Sequence, residues 1–285
     1  MKVVVGKLAG FCGGVTNSVN KSIELLDKYK TMYCLGELVH NKQVVDDLES
    51  KGITFIYDIN EVETGSRVII RAHGVPKEIY EVASNRNIEL FDLTCPKVLK
   101  IHELAESLIE DNNIIVLVAQ KDHPEAIGTI SFCGNNSTIV ENVEDVISLK
   151  EKYESGNFNK IDVICQTTFS VDKFNKISDE INKISSNVAV HNTICMATSS
   201  RQKETKELSS IVDAMIIIGG ANSSNTKKLY DIANEMNENT FIVQTVDEIN
   251  DKDFSGYETI GVMAGASTPK KSIDDVVNYL RAVNK

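Results

Sequence analysis

Three of the six cysteines stand where chemistry is expected. Cys12, Cys95 and Cys195 each follow a short strand-like run and precede a helix-like run. Cys34 and Cys165 lie inside apolar strands and Cys133 falls outside any repeated pattern, so these three read as small buried hydrophobes. Soft thiolates gathered in threes are ligands for zinc or for an iron–sulfur cluster. A structural zinc site would be closed by a fourth ligand, and none stands at an equivalent place. One coordination position is therefore left open, which is a Lewis-acid or redox arrangement. Six dispersed cysteines without a Cys-x-x-Cys pair make neither a disulfide scaffold nor a zinc ribbon.

The five histidines divide in the same way. His40, His73 and His123 fall in polar loops at strand ends, while His102 in a helix and His191 in a strand-like run read as surface or satisfied side chains. The last third of the chain answers with Ser223, Ser224, Asn225 and Ser267. Imidazoles, hydroxyls and loop N–H groups make a donor-rich pocket for a phosphate or diphosphate. Within His123-Pro124-Glu125 the carboxyl is the candidate general acid, although a first-turn glutamate serving the helix dipole is the plainer alternative. Thr167 and Thr168 occupy the place that histidine and serine hold elsewhere, and one of them is expected to orient a reacting hydroxyl. Gly13-Gly14 and Gly219-Gly220 mark turns of close backbone approach, but no full G-x-G-x-x-G or P-loop is present, so a nucleotide cofactor is not supported.

A threefold internal repeat positions these residues. After each cysteine comes a helical pattern: Val19, Ile23 and Leu26, then Val98, Ile101, Leu104 and Leu108, then the more polar run from Arg201 to Leu208. A strand and polar loop follow, then a helix, an apolar strand with an acidic tail, and a third strand ending in a polar loop. The tails share one pattern: Ile59-Asn60-Glu61-Val62, Val143-Glu144-Asp145-Val146 and Val246-Asp247-Glu248-Ile249. Such alternation predicts an α/β protein of three pseudo-threefold related lobes with small, mainly parallel sheets around a central site. The expected lobes are residues 13–96, 97–194 and 195–285, the last completed by a strand within residues 1–12. Every polar loop then lies at the carboxyl end of a strand, where open α/β sheets bind ligands.

Composition narrows the class. The chain has 285 residues, 42% hydrophobic and 25% charged, which is ordinary globular usage. Thirty basic against 41 acidic residues give a net charge of −11, which opposes binding to nucleic acid or an anionic membrane. No run approaches the ~18 apolar residues of a spanning helix, and the N-terminus has no signal-peptide pattern, so a cytoplasmic protein is expected.

Eight motifs in order carry a resemblance: Gly10-Phe11-Cys12-Gly13-Gly14-Val15, Leu38-Val39-His40-Asn41, Ala72-His73-Gly74-Val75, Asp92-Leu93-Thr94-Cys95-Pro96, His123-Pro124-Glu125, Gln166-Thr167-Thr168-Phe169-Ser170, Asn222-Ser223-Ser224-Asn225 and Gly265-Ala266-Ser267. From residue 5 to about residue 275 the chain resembles the 4-hydroxy-3-methylbut-2-enyl diphosphate reductase family, the last step of the methylerythritol phosphate route to isoprenoids. It departs at Thr16-Asn17-Ser18 and at Met196, none of them a ligand. The resemblance implies a monomer with a 4Fe-4S cluster on Cys12, Cys95 and Cys195, leaving one iron open. It implies a substrate diphosphate held by His40, His73, His123, Ser223, Ser224, Asn225 and Ser267, with Glu125, His123 and Thr167 serving protonation and positioning of the leaving hydroxyl. Electrons would come from reduced ferredoxin or flavodoxin, and the products would be isopentenyl and dimethylallyl diphosphate. Two other readings fit an open cluster. One is a redox-neutral hydratase-type Lewis acid, as in quinolinate synthase, which also joins three lobes with three cysteines. The other is an electron carrier or sensor, for which a donor-rich pocket is superfluous.

Overall fold

The computed structural model of the chain describes residues 1–250 and 252–283; residue 251 and the last two positions of the third expected lobe lie outside that description. Twelve strands among these residues form three four-stranded sheets, all parallel. The strands are β1 (Lys2–Val5), β2 (Met32–Leu35), β3 (Ile53–Ile56), β4 (Arg67–Ile70), β5 (Glu89–Asp92), β6 (Asn113–Val118), β7 (Ser137–Val140), β8 (Lys160–Cys165), β9 (Val188–Val190), β10 (Ala214–Ile218), β11 (Thr240–Val243) and β12 (Thr259–Ala264). The sheets run β3-β2-β4-β5, β7-β6-β8-β9 and β11-β10-β12-β1. Each therefore has the order second, first, third, fourth. The strand expected to complete the third sheet does so, with Lys2 opposite Thr259 and Val5 opposite Val262.

Helices cover both faces, which is why the central strands are largely apolar; Asp162, buried within β8, is met there by Asn113, His191 and Lys160. They are α1 (Gly13–Tyr29), α2 (Lys42–Ser50), α3 (Lys77–Asn85), α4 (Pro96–Ser107), α5 (Pro124–Ile130), α6 (Asp145–Ser155), α7 (Val171–Ile181), α8 (Met196–Ser209), α9 (Ser224–Met236) and α10 (Lys270–Ala282). Successive residues of a strand point to opposite faces. Thus Ile114 and Val116 of β6 pack with Leu149 of α6 and Phe174 and Ile177 of α7, while Ile115 and Leu117 pack with Ile101 of α4 and Ala126 of α5. The third sheet repeats this, with Ile216 and Ile218 on the α10 side and Met215 and Ile217 on the side of α8 and α9.

The three acidic tails have one physical job. The third residue of each accepts backbone N–H groups at the end of the preceding strand: Glu61 from Tyr57 and Asp58 at 2.9 and 2.7 Å, Asp145 from Glu141 and Asn142 at 2.8 and 3.0 Å, and Glu248 from Gln244 at 3.0 Å. Each carboxylate thereby satisfies donors that the sheet leaves behind. The face of α1 differs from expectation. Its buried stripe is Ser18, Ser22 and Leu26, one position round from Val19 and Ile23. The hydroxyls make this possible, since Ser18 donates to the Leu93 carbonyl at 2.8 Å and Ser22 to the Ser18 carbonyl at 2.9 Å.

The chain forms two compact units. One comprises Met1–Thr16, Val39–Ser50 and the chain from Met196 onward; the other comprises Asn17–Leu38 and Lys51–Cys195. Helix α2 lies in sequence between strands of the first sheet yet clusters with the β11-β10-β12-β1 sheet, where Gln43 bonds to the Ser272 hydroxyl.

Candidate active site

In a parallel sheet of order second, first, third, fourth, the strand order reverses between the first and third strands, and the loops leaving those two strands diverge to open a crevice. In all three sheets these loops carry the candidate residues, and the loop after the fourth strand carries a cysteine. The cysteines match to the atom. The backbone N–H of Cys12 donates to the Ala266 carbonyl at 3.1 Å, that of Cys95 to Ala72 at 2.9 Å and that of Cys195 to Thr167 at 3.1 Å. Of the two threonines expected in the third-strand loop, this register makes Thr168 the counterpart of His73 and Ser267.

The first-strand loops end in a residue that caps the following helix. His123 Nδ1 accepts the Glu125 N–H at 3.1 Å, Ser223 Oγ accepts the Thr226 N–H at 3.3 Å, and Asn41 Oδ1 accepts the Val44 N–H at 3.2 Å. His40 thus stands one residue before the cap and is not strictly equivalent to His123. The cap fixes chemistry as well as structure. With Nδ1 accepting a hydrogen bond, the neutral His123 ring carries its proton on Nε2.

In the unit containing Lys51–Cys195, Glu125 takes two bonds from one residue. Its Oε1 accepts the Thr167 N–H at 2.6 Å and its Oε2 the Thr167 hydroxyl at 2.7 Å. Glu125 lies in the first turn of α5, but its carboxylate is spent on Thr167 and not on its own helix. It is 1% exposed. Burial raises its pKa from 4.5 to about 7, against the opposing pull of the two Thr167 bonds. The His73 and His123 rings meet edge to face at 5.4 Å between centroids. Gly74 follows His73 at φ +78°, and a side chain there would press on the His102 ring. His102 is neither on the surface nor fully satisfied: it is buried, stacked on Phe132 at 4.1 Å, and its Nε2 has no partner among the described residues.

In the unit containing Met1–Thr16, the α9 N-terminus supplies Ser223, Ser224 and Asn225, all buried. Asn225 is 4% exposed, and neither Nδ2 nor Oδ1 has a hydrogen-bond partner among the described residues. A buried amide with both ends open calls for a polar ligand or ordered water, because leaving it unmet costs about 1–3 kcal/mol. Ser267 Oγ donates to the His40 carbonyl at 3.2 Å. Gly220 is required here, since a Cβ would lie 2.5 Å from that same carbonyl oxygen. Gly13, by contrast, faces open space, so the expected close approach is absent there.

The two groups of cysteines are physically distinct. Cys12, Cys95 and Cys195 are half-buried, whereas Cys34, Cys133 and Cys165 are fully buried. Burial pushes the Cys34 and Cys133 thiols up to about 12, and the Cys165 thiol well above its usual range. Such thiols are poor sources of thiolate. The first group, at accessible loop ends in matching register, fits a soft iron–sulfur donor set; the second does not. Residues that sequence reasoning missed are those that brace the loops. Gln166 accepts the Gln120 N–H at 3.0 Å and donates to Thr168 at 2.9 Å, tying the two switch-point loops of the second sheet together. Its place in the Gln166-Thr167-Thr168 motif was the only available signal.

With this geometry in view, comparison with known proteins gives one answer. The family model described as LytB protein matches residues 3–281. This chain belongs to the LytB family. A LytB relative from Alkaliphilus oremlandii (strain OhILAs), named 4-hydroxy-3-methylbut-2-enyl diphosphate reductase, is 41% identical over 98% of this chain and 99% of its own length. One of the same name from Geobacter sp. (strain M21) is 39% identical over 100% and 99%. Among solved structures, the E-1-hydroxy-2-methyl-but-2-enyl-4-diphosphate reductase from Plasmodium falciparum superposes with a TM-score of 0.91 at 30% identity, covering 98% of this chain and 87% of that one. An (E)-4-hydroxy-3-methyl-but-2-enyl diphosphate reductase, described as the terminal enzyme of the non-mevalonate pathway, matches at TM-score 0.71 and 36% identity over 99% of this chain and 100% of that one.

Proposed function

We propose that this LytB-family chain reductively dehydroxylates 4-hydroxy-3-methylbut-2-enyl diphosphate, giving isopentenyl and dimethylallyl diphosphate. The reaction consumes two electrons and two protons: the C–O bond breaks, the hydroxyl leaves as water, and the second proton is added at carbon. The position of that proton decides between the products. The observation that carries the reading is the buried Glu125 carboxyl, held near neutrality and bonded to the Thr167 hydroxyl.

Cys12, Cys95 and Cys195 would hold a 4Fe-4S cluster with one iron lacking a cysteine, which when bound supplies single electrons and a Lewis-acid position. Electrons reach the protein from reduced ferredoxin or flavodoxin, and it works as a cytoplasmic monomer. Among the described residues no helix is long and apolar enough to cross a membrane.

The proton chemistry belongs to the chain itself. When Glu125 is protonated, Oε2–H donates to Thr167 Oγ, which frees the Thr167 hydroxyl proton for the leaving oxygen of the substrate. Thr167 thus both holds and protonates the departing hydroxyl, and Glu125 supplies the proton it passes on. His123, with its proton on Nε2, donates to the diphosphate, as do His40, His73, Ser223, Ser224, the open amide of Asn225 and Ser267. These donors are matched to an anion whose charge the acidic chain would otherwise repel.

Product analysis tests the reading. Reconstituted protein supplied with reductant and this substrate is expected to yield C5 diphosphates lacking one oxygen, and nothing without reductant. Turnover that proceeds equally well without reductant would overturn it in favour of hydratase-type chemistry.

A further inference from the structure

The three cysteines are not tethered alike. Two residues separate β5 from Cys95 and four separate β9 from Cys195, but six separate β1 from Cys12. A longer loop has more conformations to lose before its thiol is in place. The Cys12 loop also contains Gly6, where a Cβ would collide with the Met263 sulfur, and Gly10 at φ +99°. Its own bonds are few: Gly6 N–H to the Val262 carbonyl at 2.9 Å, Ala9 N–H to Gly6 at 3.2 Å, and Cys12 N–H to Ala266 at 3.1 Å.

The remaining hold comes from α8. Glu204, half-buried, accepts the N–H groups of Lys7 at 2.7 Å and Leu8 at 2.9 Å on its two carboxylate oxygens. One turn earlier Arg201, only 4% exposed, donates through Nη2 to the Gly10 carbonyl at 2.7 Å and through Nη1 to the Ala197 carbonyl at 3.0 Å. An acid grips the loop's donors near its start and a base grips its acceptor two residues before Cys12. These are charge-assisted bonds, and the guanidinium fork serves two carbonyls that a lysine could not serve in the same geometry.

We infer that Arg201 and Glu204 are positioning residues for Cys12, a two-point clamp that presents this thiol to the cluster. The inference rests on the proposed ligand set. It predicts that loosening the clamp harms cluster retention while leaving the fold intact, because the clamp acts on a loop at the sheet rim and not on the core.

The test compares reconstituted wild-type protein with Cys12→Ser, Arg201→Met, Arg201→Lys, Glu204→Gln and, as a control on the exposed face of α8, Lys203→Gln. Iron per chain, the half-life of the visible absorbance in air, and far-UV circular dichroism are measured on each. Arg201→Met and Glu204→Gln are expected to keep the wild-type dichroism and to lose their absorbance about tenfold faster, the scale on which loss of an outer partner of a metal ligand is felt. Arg201→Lys should fall between, and Lys203→Gln should match wild type. If Arg201→Met does not fold, Glu204→Gln, at a half-exposed position, decides the matter alone. Wild-type iron content and half-life in Glu204→Gln, with Cys12→Ser impaired, would overturn the clamp and leave the ligand set standing. Wild-type values in Cys12→Ser itself would overturn the ligand set.

Discussion

Glu125→Gln is expected to lower reductive turnover by about 10²–10⁴-fold, the range typical for removing a general acid, while the cluster absorbance stays at its wild-type value. Glutamine keeps the size of the side chain and can still accept one bond from Thr167, but it has no proton to give. An amide NH₂ turned toward Thr167 Oγ donates to that oxygen as the protonated carboxyl would, so the substitution keeps the pairing and removes the acidic proton. The pH dependence follows from burial. The folded pKa of about 7 lies above the ordinary 4.5, so the native state binds the extra proton between those values. Turnover that needs protonated Glu125 is level below about 7 and declines above it. Stability has the same sign: the contribution is fully present below about 4.5 and is lost as pH rises through about 7, amounting to roughly 3 kcal/mol at ~1.4 kcal/mol per unit. Thermal melts of wild type across this window should therefore slope downward more steeply than those of Glu125→Gln. A Glu125→Gln protein within threefold of wild-type rate would remove Glu125 from the mechanism. A fully active Thr167→Val beside an inactive Glu125→Gln would send the proton by another path.

The second large effect is expected from the cysteines. Cys12→Ser, Cys95→Ser and Cys195→Ser should each lose most of the cluster iron and nearly all reductive turnover, because a serine hydroxyl is a hard, weakly acidic substitute for a thiolate. Cys34→Ser, Cys133→Ser and Cys165→Ser should keep the iron. Their cost appears as stability instead, about 1–3 kcal/mol for a buried hydroxyl, least where it can reach the Gly36 or Thr129 carbonyl that the Cys34 or Cys133 thiol now meets. The contrast between the two groups is the point of the experiment. Iron retained in Cys12→Ser and lost in Cys34→Ser would invert it.

Much of the scaffold was legible because its signals are local. Runs of β-branched residues announced the strands, and the unpaired third unit at one end of the chain called for residues near Lys2 at the other, which β1 beside β12 supplies. The equivalence of the three cysteines was visible in the repeated order of elements, since each follows a strand-like run and precedes a helix-like one. What escaped is non-local or turns on a single residue. The loop from β2 to α2 is one residue longer than its counterparts, which moves His40 off the cap position that Asn41 takes. The α1 stripe escaped because apolar counting passes over serines whose hydroxyls can be satisfied within the fold. Glu125 was suspected as an acid, but its partner Thr167 is 42 residues away in sequence, and no periodicity links them. The grip of Glu204 on Lys7 spans 197 residues and leaves no trace in either segment.

The most direct test of the account is electron consumption. Anaerobically reconstituted protein is mixed with reduced methyl viologen, and the loss of viologen colour is followed with and without 4-hydroxy-3-methylbut-2-enyl diphosphate. The account predicts oxidation only when substrate is present, at two viologen radicals per substrate consumed, and almost none with Glu125→Gln. A protein with its cluster verified that oxidises no viologen on adding substrate would contradict reductive dehydroxylation.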